Sequence, residues 1–289
     1  MKESAGTVFV CATPIGNLED ITLRALRILR EVDLIAAEDT RRTRKLLTHY
    51  DIHTPMISYH QHNAPARIPK LLDELKAGTN VALVSDAGTP GISDPGQEMI
   101  KAAIEAGIAV SPVPGPSAVI AGLISAGYKT DTFLFAGFVP RKGRTKERFL
   151  EEICKGPHTT VLYEAPHRLI DTLQALQTVA PQRSLAVCRE MTKIHEEVMR
   201  GLPGELLEHF EKVRPRGEFV LVLSPQEELV DGATESEASQ EISVKEAILQ
   251  LMAEGMDKKA AIRRVAEERG LPKRDVYRTA IDIPAGNQP

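Results

Sequence analysis

Apolar positions in the first half of the chain fall into two alternating rhythms. Continuous apolar runs occupy 7–12, 34–37, 56–58, 81–84 and 108–110, as in strands buried on both faces. Between them, apolar residues recur at helical spacing. Leu18, Ile21, Leu23, Leu26 and Leu29 do so among Arg24, Arg27 and Arg30, and Ile68, Leu71, Leu72 and Leu75 do so within 66–76. Further helices are expected near 41–49 and over 96–105. This alternation predicts a mostly parallel sheet covered by helices.

Val113-Pro114-Gly115-Pro116-Ser117 interrupts the pattern, and a small-residue helix is expected over 118–126. Strand-like runs at 133–136, 159–163, 185–188 and 219–223, with helical patterns at 145–154 and 166–177, predict a second α/β domain. From Pro225 the chain turns to Gln, Ser, Thr and Gly with Glu227, Glu228, Asp231, Glu235, Glu237 and Glu241, the composition of a flexible acidic linker. Val244, Ile248, Leu251, Ala261, Ile262 and Val265 then return to helical period, and Pro272 opens a last helix with Val276 and Tyr277. Three short helices resembling a helix-turn-helix module are expected there. The expected divisions are an N-terminal α/β domain at 1–115, a second at 116–224, the linker at 225–242 and the helical domain at 243–283.

Composition narrows the class. Of 289 residues 42% are apolar but only 4% aromatic, so the cores must rest on Leu, Ile, Val and Ala. A net charge of −4 argues against a uniformly basic coat while leaving room for local basic patches. Cys11, Cys154 and Cys188 lie far apart among apolar neighbours and have neither zinc-ligand nor disulfide spacing; buried free thiols in a reducing cytoplasm are expected. No secretory signal is read at the N-terminus, and no apolar run approaches the roughly 20 residues of a membrane span.

The segment with most chemistry is Ser85-Asp86-Ala87-Gly88-Thr89-Pro90-Gly91-Ile92-Ser93-Asp94-Pro95-Gly96, between a strand and a helix. Ligands of open α/β sheets bind beyond the carboxyl ends of strands, and Gly88 allows close backbone approach. Asp94 before Pro95 reads as a helix cap; so long a loop points to a ligand. A Walker phosphate loop and a G-x-G-x-x-G turn are both absent. His60 and His62 form the nearest thing to a metal pair and lack a third ligand nearby, so no metal is expected.

Other strands also end in charge: Glu38-Asp39-Thr40-Arg41, Tyr163-Glu164-Ala165-Pro166-His167-Arg168 and Arg189-Glu190-Met191-Thr192-Lys193. Together with Ala12-Thr13-Pro14-Ile15-Gly16-Asn17-Leu18, the 86–96 loop and Pro114-Gly115-Pro116-Ser117-Ala118, these segments resemble the tetrapyrrole methylase family, in order, from about residue 6 to 224. Within that family they are most similar to a branch that modifies the RNA of the small ribosomal subunit. The resemblance implies two α/β domains with S-adenosyl-L-methionine in the cleft between them, a homodimer, and 2′-O-methylation of a cytidine in 16S ribosomal RNA near the decoding centre. It implies cofactor contacts from Pro14, Asp86, Ala87, Gly88, Thr89, Pro90, Ser117 and Ala118, and, from the second domain, Tyr163, Glu164, Arg189, Glu190, Gly217, Glu218 and Phe219.

A ribose hydroxyl is a poor nucleophile until its proton leaves, so a positioned acceptor is expected. Glu38, Asp39, His60 and Glu164 are candidates, and a Glu38-Asp39 pair facing the ribose, with Arg41 on a phosphate, is weighed against a plain capping pair. Three basic patches fit RNA: Arg41-Arg42-Thr43-Arg44-Lys45; Arg141, Lys142, Arg144 and Lys146; and Lys258, Lys259, Arg263, Arg264, Lys273, Arg274 and Arg278 in the tail. His60 is a further RNA candidate. Two other readings stand beside this one: a methylase of a tetrapyrrole or other small acceptor, and a helix-turn-helix nucleic-acid-binding regulator.

Overall fold

The computed structural model describes residues 5–141, 143–226, 244–253, 256–268 and 271–280. From residue 227 on, the acidic stretch expected to act as a linker lies outside the described residues, as does the end of the expected helical domain beyond 280. The chain divides into two compact units between Glu228 and Leu229.

The first unit holds two five-stranded sheets. In the first sheet, β1 (Thr7–Cys11), β2 (Leu34–Ala37), β3 (Met56–Ser58), β4 (Val81–Val84) and β5 (Ala109–Val113) lie in the order β3-β2-β4-β1-β5. Every pairing in it is parallel. Side chains alternate between its faces. Cys11, Ile35, Ala37 and Ala82 meet Ile28 and Leu29 of α1 (Leu23–Glu31) and Leu47 of α2 (Thr40–His49). Val8, Val10, Ala36 and Leu83 meet Leu71 and Leu75 of α3 (Ala64–Lys76) and Met99 of α4 (Gln97–Glu105). Both faces are therefore covered, which is why these strands read as unbroken apolar runs. Local signals set the helix starts: Thr22 Oγ1 accepts from the Ala25 amide at 3.1 Å, and Asp39 plays the same part for α2.

After α5 (Ala118–Ala126), the second sheet comprises β6 (Phe133–Phe138), β7 (Thr159–Glu164), β8 (Leu185–Arg189), β9 (Glu197–Gly201) and β10 (Phe219–Leu223), in the order β6-β7-β10-β8-β9. Only β6 and β7 run parallel. α6 (Gly143–Lys155), α7 (Leu169–Val179) and α8 (Pro203–Lys212) cover one face, with Leu150, Leu173 and Phe210 packed on Leu162, Val187 and Leu221. α5 covers the other: Val119 and Leu123 lie on Val161, Ala186 and Val220. The three cysteines are buried and unbonded.

Two elements have no counterpart in the sequence reading, β9 and α8. β9 is an edge strand paired only to β8 and carries Glu197 and Arg200. Such charged edges blunt a strand's pattern. α8 opens on Pro203, and its first turn is capped by Glu205, whose carboxylate accepts from the Leu202 amide at 2.8 Å.

The second unit contains α9 (Val244–Ala253), α10 (Lys258–Glu268) and α11 (Lys273–Thr279) around Ile248, Ala261, Ile262, Val265 and Val276. Among the described residues no helix is long and apolar enough to cross a membrane.

Leu221 is fully buried at the centre of the second sheet, opposite Leu162 and Val187. Leu221→Ala is expected to cost about 2–5 kcal/mol, read as a fall in the urea midpoint without loss of the far-ultraviolet helix signal.

Candidate functional site

The carboxyl ends of β1, β2 and β4 carry three loops that hold one another. Thr13 and Gly88 exchange backbone hydrogen bonds at 2.9 and 3.0 Å, which ties the loop after β1 to the loop after β4. The Thr13 hydroxyl donates to the Ser85 carbonyl at 3.2 Å. On the other side, the Asp39 amide donates to Asp86 Oδ1 at 3.1 Å and the Asp86 amide donates to Glu38 Oε2 at 3.2 Å. Gly88 sits at φ 74, where a residue with a Cβ would be strained.

The second sheet closes over these loops. The Asn17 amide donates to Thr192 Oγ1 at 3.1 Å. A Cβ on Gly16 would lie 2.5 Å from Lys193 Cγ and 2.9 Å from the Met191 carbonyl oxygen, so only glycine admits this approach. Lys193 Nζ donates to Glu190 Oε1 and Glu218 Oε2, both at 2.9 Å, and the Glu218 amide donates to Glu190 Oε1 at 2.9 Å.

Two adjoining cavities result. The larger, about 320 Å³, is lined by Gly88, Thr89, Asp94, Ser117 and Ala118 on one side and Tyr163, Glu164 and Phe219 on the other. The second, about 300 Å³, is lined by Pro14, Arg42, Lys45, Asp86 and Lys193. Ile15, Ala87 and Glu218 belong to both walls.

Other residues expected at the cofactor stand behind these walls. Pro90 is buried and lines neither cavity. Arg189 turns away: its Nε donates to the Arg216 carbonyl at 2.8 Å and its guanidinium pairs with Glu197 at 3.4 Å. Glu190 and Gly217 support Glu218, with the Glu190 carboxylate packed against Gly217.

The three carboxylates expected to act in catalysis are all engaged. Glu164 has a fully buried side chain that accepts from the Thr172 hydroxyl at 2.6 Å and the Ala165 amide at 2.8 Å, with Arg168 at 3.4 Å. These contacts fix its orientation where it lines the larger cavity. Asp39 accepts from the Arg41 amide at 2.8 Å and from Arg41 Nε and Nη2 at 3.1 and 2.8 Å. Those bonds hold its carboxyl well below the usual range, the signature of the capping pair. Burial pushes the Glu38 carboxyl up, partly offset by the hydrogen bond from the Asp86 amide.

Of the basic residues, Arg41, Arg42 and Arg44 are exposed on α2, and Arg42 pairs with Asp86 at 3.2 Å. Arg141 and Arg144 are exposed near the start of α6, whereas Lys142 lies outside the described residues. Lys146 departs from expectation: it is buried against Asp171 and the Asp171 carbonyl, so it offers no charge to a phosphate. Helical period explains this, since Lys146 shares the inner face of α6 with Leu150 and Ile153. His60 is half-buried and held by Asn63. Among the described residues no group of His, Cys, Asp and Glu could hold a metal ion.

Asp94 also departs from expectation. α4 begins at Gln97 with Gly96 flanking it, so Asp94 is no cap. Ser93, a non-glycine residue at φ 63, turns the chain before it, and Asp94 lines the larger cavity. Its carboxyl is pushed up to about 6, first by burial and then by the Glu38 and Asp86 charges, with the Ser85 hydroxyl opposing.

Two α/β sheets facing each other across a cleft walled by strand-end loops define a two-lobed α/β enzyme of the methylase type. Residues 7–207 match the Tetrapyrrole (Corrin/Porphyrin) Methylases, and the chain belongs to that family. It is 48% identical over 283 residues to the Ribosomal RNA small subunit methyltransferase I of Synechocystis sp., covering 97% of this chain and 99% of that one. The protein of the same name from Halalkalibacterium halodurans is 44% identical, with 96% and 95% covered. The uroporphyrin-III C-methyl transferase of Thermus thermophilus, solved with S-adenyl homocysteine, superposes with a TM-score of 0.55 at 18% identity over 76% of this chain and 97% of its own. That likeness is one of fold.

Asp94 also makes a stability prediction. Its folded carboxyl keeps a proton up to about pH 6, while the unfolded one loses it near 3.8. The folded state therefore binds more protons in that window, and stability falls as pH rises through it. Asp94→Asn removes the cost of the half-buried charge. The variant is expected to melt above the wild type at neutral pH, with the gain gone below the unfolded value, as followed by thermal unfolding across pH.

Proposed function

We propose that this protein is an S-adenosyl-L-methionine-dependent methyltransferase of small-subunit ribosomal RNA. The observation that carries the reading is the pair of cavities sharing one wall, a largely apolar one beside one bordered by Arg42, Lys45 and Lys193. Near full-length similarity to relatives bearing that name supports it. The acceptor is the 2′-hydroxyl of a cytidine in 16S ribosomal RNA near the decoding centre, and the protein works in the cytoplasm as a homodimer. Exposed apolar side chains at Ile120, Ile124, Phe133 and Leu134 suit an association surface.

The larger cavity fits the cofactor. Its volume lies at the lower end of the ~300–1,000 Å³ usual for small-molecule sites. Gly88 leaves open a space that a Cβ would begin to fill, 3.6 Å from Ile15 Cγ2. Ser117 precedes α5 without capping it through its side chain, which leaves its hydroxyl for a ligand. Gly88, Thr89, Ser117, Ala118, Tyr163 and Phe219 would hold the cofactor. Asp86, Ala87 and Glu218 would stand at the boundary with the acceptor. When bound, S-adenosylmethionine supplies a methyl group already activated by the sulfonium, so the protein's task is orientation.

Glu38 and Asp39 act as positioning residues, because their hydrogen bonds fix Asp86 and the start of α2. Arg41, Arg42 and Arg44 provide charge for phosphates, and Arg141 and Arg144 add a second exposed site.

Methyl transfer from labelled S-adenosylmethionine into purified small ribosomal subunits is expected to yield 2′-O-methylcytidine after digestion. Label entering a macrocycle offered in parallel, and none entering RNA, would instead place the chain among the tetrapyrrole enzymes. RNA binding is expected to weaken steeply with salt. Replacing Arg42 and Arg44 with Ala should lower the slope of log K against log salt by about 0.7 for each lost phosphate contact; a slope unchanged in the double variant would remove α2 from the interface.

A further inference from the structure

We infer that the bridge between the loop after β1 and the 191–193 turn selects the acceptor: it divides the cleft so that a nucleotide of RNA is admitted and a flat macrocycle is shut out. The inference rests on the methyltransferase reading of this cleft.

The bridge crosses from one lobe to the other. The Asn17 amide donates to Thr192 Oγ1 at 3.1 Å. A Cβ on Gly16 would stand 2.5 Å from Lys193 Cγ, 2.7 Å from Thr192 Oγ1 and 2.9 Å from the Met191 carbonyl oxygen. Each half is braced from behind. The Asn17 side chain accepts from the Glu19 amide at 3.0 Å, and the Tyr50 hydroxyl donates to the Leu18 carbonyl at 2.6 Å. On the second lobe, the Lys193 amide donates to the Glu190 carbonyl at 3.0 Å and the Thr192 amide to Glu196 Oε2 at 2.6 Å.

The turn is also strained. Glu190 and Thr192, neither of them glycine, stand at φ 50 and 65. A β-branched residue in the left-handed region is rare and persists only where its surroundings over-determine it. Glycine at 192 would hold the same turn without that cost, but it would bring no hydroxyl to the Asn17 amide. The side chain is what the strain retains.

The bridge decides what the cleft can hold. Gly16 and Lys193 wall the smaller cavity, and Met191 walls the larger. The cleft is thus two pockets of about 300 and 320 Å³, not one trough. With the cofactor in the larger, the smaller is left for the acceptor. Its volume suits one nucleotide, and Arg42, Lys45 and Lys193 on its wall suit phosphates. A planar ring of four pyrroles is far wider than one base, and the bridge lies across the space it would need.

Three variants of the full chain test this. Gly16→Ala wedges the bridge apart. It is expected to lower kcat/KM on small ribosomal subunits by about 10²-fold, the cost of a misplaced acceptor, with S-adenosylmethionine affinity kept. Thr192→Gly removes the hydroxyl. Its relieved strain offsets its freer unfolded chain, so it should melt close to the wild type yet lose roughly 2- to 10-fold in kcat/KM, the worth of one hydrogen bond. Thr192→Ser keeps the hydroxyl and should keep the rate. Selectivity is read with uroporphyrin III, followed by its visible absorbance in competition with small subunits. Wild type and Thr192→Ser are expected to leave the spectrum unchanged. Gly16→Ala and Thr192→Gly are expected to perturb it, and added subunits to reverse the change.

A wild type that takes the macrocycle into the cleft, or a Gly16→Ala protein that refuses it, would overturn the inference. Should Gly16→Ala not fold, Thr192→Gly decides by the same two readouts. Methyl transfer by the wild type to the macrocycle and not to RNA would instead defeat the acceptor reading, and the inference would fall with it.

Discussion

The loop from Ser85 to Gly96 hangs from hydrogen bonds on both flanks, and the site depends on that suspension. Its Gly88 end pairs with Thr13 beyond β1, and its Asp86 end exchanges bonds with Glu38 and Asp39 beyond β2. β4 lies between β1 and β2 in the sheet, so the loop after it is held by the loops after both neighbours. Parallel strands make this possible, because all three loops leave the sheet at the same edge. Backbone groups that would otherwise need water are satisfied within the loop cluster. The chain can therefore present Thr89 and Asp94 to a cavity without relying on a ligand to order them.

Charge in the cleft is sorted by the same bonds. The charges of Asp86 and Asp39 add to the cost of ionising Glu38, and those of Glu38 and Asp86 to the cost of ionising Asp94. Asp39 escapes it through Arg41, and Asp86 shares Arg42. Asp94 is half-buried and lies near Glu38 and Asp86, so its proton-bound form is favoured. The opposite arrangement appears at Glu164, where burial is matched by three partners and the carboxylate acts as part of the scaffold.

Contact between the two sheets rests on small residues. Gly16 lets the loop after β1 touch the 191–193 turn, and within the second lobe Gly122 brings α5 to Val220, where a Cβ would come within 2.7 Å of Cγ1. These approaches leave room for the cavities and close their far wall, with Lys193 binding Glu190 and Glu218 across the second lobe's edge.

The amino-acid pattern alone determined the five strands and four helices of the first half, because strands covered on both faces must be apolar throughout and their helices must carry an apolar stripe. It also carried the family, since six strand-end segments occur in order. β9 and α8 were illegible: an edge strand with Glu197 and Arg200 has no face that must be apolar, and α8 follows it without a gap that marks a turn. Lys146 and Asp94 were read by local rules, one as part of a charge run and the other as a cap before proline. Tertiary structure reversed both. A lysine on the inner face of α6 is buried whatever its sequence neighbours are. An aspartate after a left-handed Ser93 is aimed by the loop's tethers to β1 and β2, and those are set by residues some 50 and 80 positions away. Local sequence encodes which residues can cap, turn or alternate; which charged side chain is buried and which lines a cavity depends on the partners the folded chain brings to it.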